Sequence, residues 1–390
     1  MTTGAVHRRR LVDQLVANGS VRSREVRRAF TEVPRENFVP RFHQDHSAGR
    51  RWVDGTNARQ HEEWLRGVYT DEVLVVQTRP ASDLVDPSGA PTSSSSMPSV
   101  MAGMLEALDL RPGQRVLEIG TGTGYNAALL CHLVGAENVV SVELDPALAG
   151  SARDALARVG LHPSVYTGDG RVEVPGEALF DRIVATASAD HVPAAWTAQL
   201  TPGGVIVVDL RGSLSGGLVR LAKTGEDVVE GPFLDLPGAF MPLRARHDSP
   251  HRDGETWDQP LNQINPQHGL TTTDPGLLAD PALRLLTQLH FGGKRLRGFL
   301  PDPDDAACSG HALDGSWFTV DVYPRADGLR AVRQGGPQRL WDTVECSVAA
   351  WERLDQPGIA TFRVTAHDNE ALQYVECDRD PSAFRWPLPL

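Results

Sequence analysis

The chain has 390 residues, more than a single hydrophobic core usually serves, so two domains are expected. An apolar content of 41% and a charged content of 23% describe a globular protein, and a formal net charge of −12 argues against nucleic acid or an anionic membrane as a partner. No run of about 18 apolar residues occurs and the opening stretch MTTGAVHRRRLVDQ lacks the apolar core of a signal peptide, so a cytoplasmic location is expected.

Residues 7–32 read as two short helices, the second capped by Ser23, after which Pro34 and Pro40 punctuate VPRENFVP. Between Arg8 and Arg41 nine arginines stand against four acids, Asp13, Glu25, Glu32 and Glu36. They form either two solvated helix faces or a docking surface for an acidic peptide through Arg24, Arg27 and Arg28. Residues 41–67 are polar and irregular, and DEVLVVQT (71–78) reads as a strand. PTSSSSMPSV (91–100) is either a flexible spacer or the floor of a site. Pro98 sits where a first helical turn tolerates it, and Val100, Met101, Met104, Leu105 and Leu108 have helical spacing.

An alternation follows. RVLEIG (115–120) is a strand, YNAALLCHLV (125–134) a helix, VVSVEL (139–144) a strand and the stretch around 146–160 a helix. PSVYTGD (163–169), DRIVATAS (181–188) and GGVIVVDL (204–211) are further strands. Strands alternating with helices mean βαβ units in a doubly wound, mostly parallel sheet, which binds its ligand beyond the carboxyl ends of the strands. Residues 246–279 read as a polar linker, and 280–390 as a small α+β domain with the apolar runs WFTVDVYP, TVECSVAAWERL, IATFRVTAH and LQYVEC. The cysteines Cys131, Cys308, Cys346 and Cys377 are sparse and scattered, which fits a reducing compartment; Cys308 and His311 have a ligand-like gap but no second pair, so no metal is expected.

EIGTGTGYN (118–126) lies between a strand and a helix. Gly120, Gly122 and Gly124 let backbone amides approach a ligand, and the helix start offers unpaired N–H groups to an anion. The spacing is not that of a dinucleotide fingerprint, because the last glycine would fall at Tyr125. With Glu118 two residues before the first glycine, the loop resembles that of S-adenosylmethionine-dependent methyltransferases. Glu143 stands 23 residues beyond Gly120, where a ribose-binding carboxylate belongs, and Asp169-Gly170 ends the third strand, where adenine is expected. Thr121, Tyr125 and Asn126 from the loop and helix start, Leu144 beside Glu143, and Thr186 in ATAS complete the expected cofactor set.

VPRENFVP, MAGMLEALDL, RPGQRVLEIGTGTGYNAALL, GDG (168–170), ATAS (185–188) and QLTPGG (199–204) occur in the order found in protein-L-isoaspartate O-methyltransferases, which residues 25–215 resemble. The resemblance implies a Rossmann-like catalytic domain over 1–245, S-adenosylmethionine as cofactor, S-adenosyl-L-homocysteine as product, and a serine beside the reacting carboxylate at Ser96. The family's Ser-Ala-Pro-His becomes Ser96-Met97-Pro98-Ser99 here, and its Gly-Gln-Thr becomes Thr92-Ser93-Ser94. The serine run, FMPLR (240–244) and the extra C-terminal domain look like the actinobacterial branch associated with lanthipeptides and graspetides. That branch esterifies an aspartate of a ribosomally made macrocyclic peptide, and the ester collapses to aspartimide or isoaspartate. Such a peptide is therefore the expected substrate, with repair of isoaspartyl proteins as the alternative.

An aspartate, with a reference pKa of about 3.9, is already an anion at neutral pH and needs no base. Residues 92–99 offer hydroxyls and no His, Asp, Glu or Lys, so Ser95, Ser96 and Ser99 are expected to hold the carboxylate. Asp190 and His191 are the nearest candidates for a base. No G-x-S-x-G elbow occurs, which excludes that hydrolase arrangement.

Overall fold

The computed structural model describes residues 3–46, 49–78, 91–176, 178–244, 266–300, 305–381 and 385–390. The chain divides into two compact units, one of residues 1–188, 198–208 and 236–246, the other of 189–197, 209–235 and 247–390. Among the described residues no helix is long and apolar enough to cross a membrane.

The first unit opens with helices α1 (Thr3–Ala17) and α2 (Arg24–Glu32). The Ser23 hydroxyl caps α2 by accepting from the Val26 N–H, as its position in the sequence predicts. Arg27 faces Asp13 at 3.8 Å and Arg28 faces Glu32 at 2.8 Å, so two of the three arginines offered for docking are neutralised locally.

Strands β1 (Arg41–His46) and β2 (Gly49–Asp54), helix α3 (His61–Val68), and strands β3 (Leu74–Thr78) and β4 (Pro91–Ser95) follow. The strands form a sheet in the order β2-β1-β3-β4. This corrects the irregular reading of residues 41–67. Phe42, Val53, Trp64, Leu65 and Val68 are buried, too few and too widely spaced to show a period, and the Trp64 indole N–H is held by the Val39 carbonyl at 2.8 Å. The serine run is no spacer either. It is β4, paired antiparallel with β3, and it leads through Met97 into α4 (Pro98–Leu108).

The second sheet of this unit is built from β5 (Val116–Ile119), α5 (Tyr125–Val134), β6 (Val139–Glu143), α6 (Pro146–Arg158), β7 (Ser164–Thr167) and β8 (Phe180–Ala189). After α7 (Ala194–Ala198) comes β9 (Leu200–Arg211), beside β8. Strands β8, β5, β6 and β7 are parallel neighbours in that order. Because β6 and β8 flank β5 on opposite sides, the order reverses at β5, and the crevice opens beyond its carboxyl end. All residues of β5 and β6 are buried, which is why these strands read as unbroken apolar runs.

In the second unit β10 (Gly216–Lys223) and β11 (Val228–Pro232) precede β12 (Gln267–Thr271), α8 (Pro281–Phe291), β13 (Leu296–Gly298) and β14 (Ala307–Ala312). Then come β15 (Trp317–Asp321), β16 (Arg330–Gly335), α9 (Leu340–Arg353), β17 (Phe362–His367), β18 (Tyr374–Cys377) and β19 (Arg385–Pro387). One antiparallel run follows the order β10-β11-β17-β18-β19, and a five-stranded sheet the order β12-β16-β15-β14-β13. The expected boundaries therefore move. Residues 209–235 belong with the C-terminal elements because β11 pairs with β17, from Val228↔His367 to Pro232↔Arg363. Of the expected linker 246–279, residues 267–271 pair with β16 and 275–279 form a 3-10 turn before α8, while 246–265 lie outside the described residues. Gln267-His268-Gly269-Leu270 is an exposed edge with no alternation to betray a strand.

Candidate cofactor and substrate site

The loop after β5 takes backbone angles that L side chains rarely adopt, with φ of 94° at Gly120, 52° at Gly122 and 83° at Gly124. A side chain at Gly120 would also bring its Cβ within 2.9 Å of the Thr186 hydroxyl, which donates to the Gly120 carbonyl at 2.6 Å. The parallel register explains this meeting, since Ile119 stands opposite Ala185 in β8 and Val142 in β6.

Glu143 ends β6 inside the crevice. Its Oε2 accepts from the Gly122 N–H (2.9 Å) and its Oε1 from the Asp145 N–H (3.0 Å). An ionised carboxylate has about four lone-pair sites, so two stay open toward the cavity for hydroxyl donors. Asp145 caps α6 through the N–H groups of Ala147 and Leu148, which pins the loop below Glu143.

Glu118 is placed otherwise than expected. It lies behind the loop, fully buried and outside the cavity lining, and accepts from Asn126 Nδ2 (2.8 Å) and the Ser141 hydroxyl (2.6 Å). The Thr121 hydroxyl meets that of Ser141 at 2.6 Å, so Glu118 acts on the loop through its neighbours. Alternation along β5 turns its side chain away from the ligand face. Burial pushes the Glu118 carboxyl up from 4.5 to about 7, and the Ser141 and Asn126 hydrogen bonds only partly oppose this. A carboxyl raised on folding contributes stability that is full below about pH 4.5 and lost as pH rises through about 7, a difference of at most about 3 kcal/mol. Glu118→Gln should therefore flatten the fall in Tm of the cofactor-free protein between about pH 4.5 and pH 7. Melting curves across that range check this, and an unchanged slope would refute it.

Asp169 is likewise set back. Its Oδ1 accepts from the Arg171 N–H at 3.0 Å, and its carboxylate pairs with the Arg171 guanidinium at 2.9 Å. Gly170 rather than Asp169 lines the cavity, packed so close to Ile119 that a Cβ would meet its Cγ2 at 2.4 Å.

The serine strand faces the glycine loop. A Cβ at Gly122 would lie 3.6 Å from the Ser94 carbonyl oxygen and 3.8 Å from the Ser93 hydroxyl. What holds the strand is Arg35, fully buried and passed over in the sequence although it sits in VPRENFVP. Its guanidinium donates to the carbonyls of Val68 (3.0 Å), Thr70 (3.1 Å), Ser95 (3.3 Å) and Ser96 (3.0 Å). It also reaches the Ser95 hydroxyl at 3.1 Å. Burial pushes the guanidinium down to about 10, so it stays charged at neutral pH. The Ser95 hydroxyl is thus engaged by Arg35, and Ser99, whose N–H donates to Asp71 at 2.8 Å, lies outside the cavity lining. Of the three expected hydroxyls, only Ser96 lines the cavity without an Arg35 contact to its side chain. Ser99 misses because it lies in the first turn of α4, past the bend at Met97.

These elements enclose a cavity of about 510 Å³, within the range of ligand sites. Gly120, Thr121, Gly122, Tyr125, Asn126, Glu143, Leu144 and Thr186 line it from the cofactor side, and Thr92 to Met97 from the other. Gly124 lies outside the lining, against Ala152 of α6. Residues 237–244 supply the remaining wall, which the sequence signalled only as the motif FMPLR. They are held where the Ser188 N–H donates to the Met241 carbonyl (2.9 Å) and the Leu243 N–H to the Ser188 carbonyl (2.8 Å). The residues fit S-adenosylmethionine: a glycine cradle, a carboxylate with open acceptor sites and the apolar side chains of Val142, Leu144 and Leu148. Glu143, Arg244 and Tyr125 are the ionisable groups of the lining, and burial pushes the Tyr125 hydroxyl well above its usual range. No lining His, Lys or Asp occurs among the described residues. His191 and Asp190 belong to the second unit, where the His191 ring meets Asp190 at 2.6 Å and Glu370 at 3.4 Å.

Residues 59–247 match the family model for protein-L-isoaspartate(D-aspartate) O-methyltransferase. The protein-L-isoaspartate O-methyltransferase of Ignicoccus hospitalis is 36% identical over 239 residues, 60% of this chain and 96% of that protein. That of Anaeromyxobacter dehalogenans is 45% identical over 150 residues, 38% of this chain and 71% of that protein. A solved structure of a protein-L-isoaspartate O-methyltransferase shares the fold over 95% of this chain and 99% of that chain, with a TM-score of 0.52 and 24% identity.

Proposed function

We propose, from the premise that the chain belongs to the protein-L-isoaspartate O-methyltransferase family, that it esterifies the free carboxylate of an L-isoaspartyl residue in a peptide or protein. The enzyme class is an S-adenosylmethionine-dependent protein carboxyl O-methyltransferase. When bound, the cofactor supplies a sulfonium methyl group for in-line displacement by the carboxylate, leaving S-adenosyl-L-homocysteine and a methyl ester.

The observation that carries this reading is the absence of a His, Lys or Asp base among the described lining residues. The acceptor sites of Glu143 left open by the Gly122 and Asp145 N–H groups are taken by the ribose in this reading, and Arg244 and Tyr125 cannot take a proton at neutral pH. An amine or hydroxyl nucleophile would need a base; a carboxylate does not. In this reading Glu143 receives the ribose hydroxyls, the loop amides and the start of α5 receive the anionic end of the cofactor, and Ser96 donates to the reacting carboxylate. Positioning and exclusion of water do the rest, a contribution that can reach about 7–11 kcal/mol. Ser96→Ala should lower kcat/KM for peptide by about tenfold and leave the cofactor Kd within about twofold. Steady-state kinetics with an isothermal titration of S-adenosyl-L-homocysteine check the split, and an unchanged kcat/KM would remove Ser96 from the site.

A second reading keeps the same chemistry on an aspartate of a macrocyclic ribosomal peptide, the ester then closing to aspartimide. The departure at Thr92–Ser94 and Ser96–Ser99 from the family's usual motif favours it. The second unit does not discriminate, because the solved isoaspartate methyltransferase matches nearly the whole chain in fold. Mass spectrometry of parallel reactions separates the two. A linear isoaspartyl peptide gaining one methyl supports repair. Methylation or water loss on a cyclic aspartyl peptide alone supports tailoring. The second unit is proposed to serve as an accessory element for peptide recognition in either case.

A further inference from the structure

Resting on the isoaspartyl reading above, we propose that Arg244 is a specificity residue whose guanidinium binds a second carboxylate of the substrate, an acidic side chain three to five residues from the one that is methylated. Arg244 is the one cationic side chain lining the cavity among the described residues, and it is exposed. The Asp145 carboxylate feels the Arg244 charge from beyond ion-pair distance, whereas Arg27 and Arg28 on the N-terminal helices are directly paired. Its Nη2 donates to the Thr92 carbonyl at 3.0 Å. A guanidinium has five N–H donors in a rigid fork, so one carbonyl contact leaves room for bidentate capture of a carboxylate.

The place where Arg244 docks is itself built. The Thr92 hydroxyl donates to Gln77 Oε1 at 2.7 Å, and Gln77 Nε2 donates to Asp145 Oδ2 at 2.9 Å. The register of β3 against β4 slips at Gln77, which turns this side chain toward Asp145. Asp145 in turn donates its N–H to Glu143, so the anchor of Arg244 runs back to the cofactor carboxylate.

Spacing along β4 decides which carboxylate Arg244 can take. Thr92 and Ser96 are four residues apart, about 13 Å at the rise of an extended strand. A guanidinium seated at Thr92 is too far from Ser96 to hold the reacting group. An extended peptide lying along β4 brings to it a side chain three to five residues away, and the open pair is worth only a modest factor in a partly solvated site.

The experiment uses the full-length protein and isoaspartyl peptides in which a single Glu, or Gln in its place, is walked outward on each side of the reacting residue. The wild type should favour Glu over Gln by about three- to fivefold in kcat/KM at a position three to five residues away, carried by KM and shrinking with added salt. Arg244→Gln should bring the ratio of kcat/KM for the Glu peptide over the Gln peptide to about one, whatever its effect on the Gln peptide itself, and Arg244→Lys should retain part of the ratio. A wild type without the preference, or an Arg244→Gln variant that keeps it, overturns the proposal. If no peptide in the set takes up methyl, the isoaspartyl reading falls and this inference with it; uptake without a Glu preference removes the inference alone.

Discussion

Replacing Glu143 with Ala should raise the Kd for S-adenosyl-L-homocysteine by about 100-fold or more. The carboxylate has two partners within the protein, the N–H groups of Gly122 and Asp145, and its open lone pairs face the cavity. Two ribose hydroxyls donated to a charged acceptor are together worth about 3 kcal/mol, and the loss of the Gly122 anchor loosens a loop already held at positive φ. Glu143→Gln keeps an acceptor oxygen without the charge and should fall between wild type and Glu143→Ala. Isothermal titration measures all three, with the melting temperature of the free protein as the control for folding. A Kd within about threefold of wild type in Glu143→Ala would place the ribose elsewhere.

Arg35→Leu should destabilise the first unit by about 3–5 kcal/mol, enough to abolish folding in a marginally stable protein. The guanidinium is fully buried, feels the Asp71 carboxylate without a direct ion pair among the described residues, and is satisfied by backbone carbonyls at Val68, Thr70, Ser95 and Ser96. Leucine would leave those carbonyls buried and unpaired, at about 1–3 kcal/mol each before relaxation. Arg35→Lys keeps the charge but not the fork, so it should lie between the two. Chemical denaturation reads the loss. Hydrogen exchange reads its location, since amides of β4 and the start of α4 should lose protection before those of β5 and β6. Equal stability of Arg35→Leu and wild type would mean that the serine strand stands without its brace.

The two sets of contacts explain what could be read early. The helix cap at Ser23, the start of α4 at Pro98 and the strands and helices from 115 to 160 depend on neighbours a few residues away and on burial of whole strands, both of which show as local pattern. The glycine loop was legible for the same reason, because positive φ is a requirement on single residues. The irregular reading of 41–67 failed because β1 and β2 draw their cohesion from pairing with each other, which polar residues do as well as apolar ones.

The sequence alone determined the family, the parallel sheet, the cofactor class and the stretch of chain proposed to meet the substrate. Only the tertiary structure decided which of its residues line the cavity. Four consecutive serines carry no alternation, so nothing in their order tells which hydroxyl is already engaged; the packing of Arg35 onto Ser95 shows that one. The acid at Glu118 belongs to the loop's pattern, yet the pleat of β5 turns it inward, where it braces Asn126 and Ser141. The wall at 237–244 and its Arg244 reach the site from far along the chain through hydrogen bonds to Ser188 and Thr92, and contacts between residues so distant in sequence leave no periodic trace.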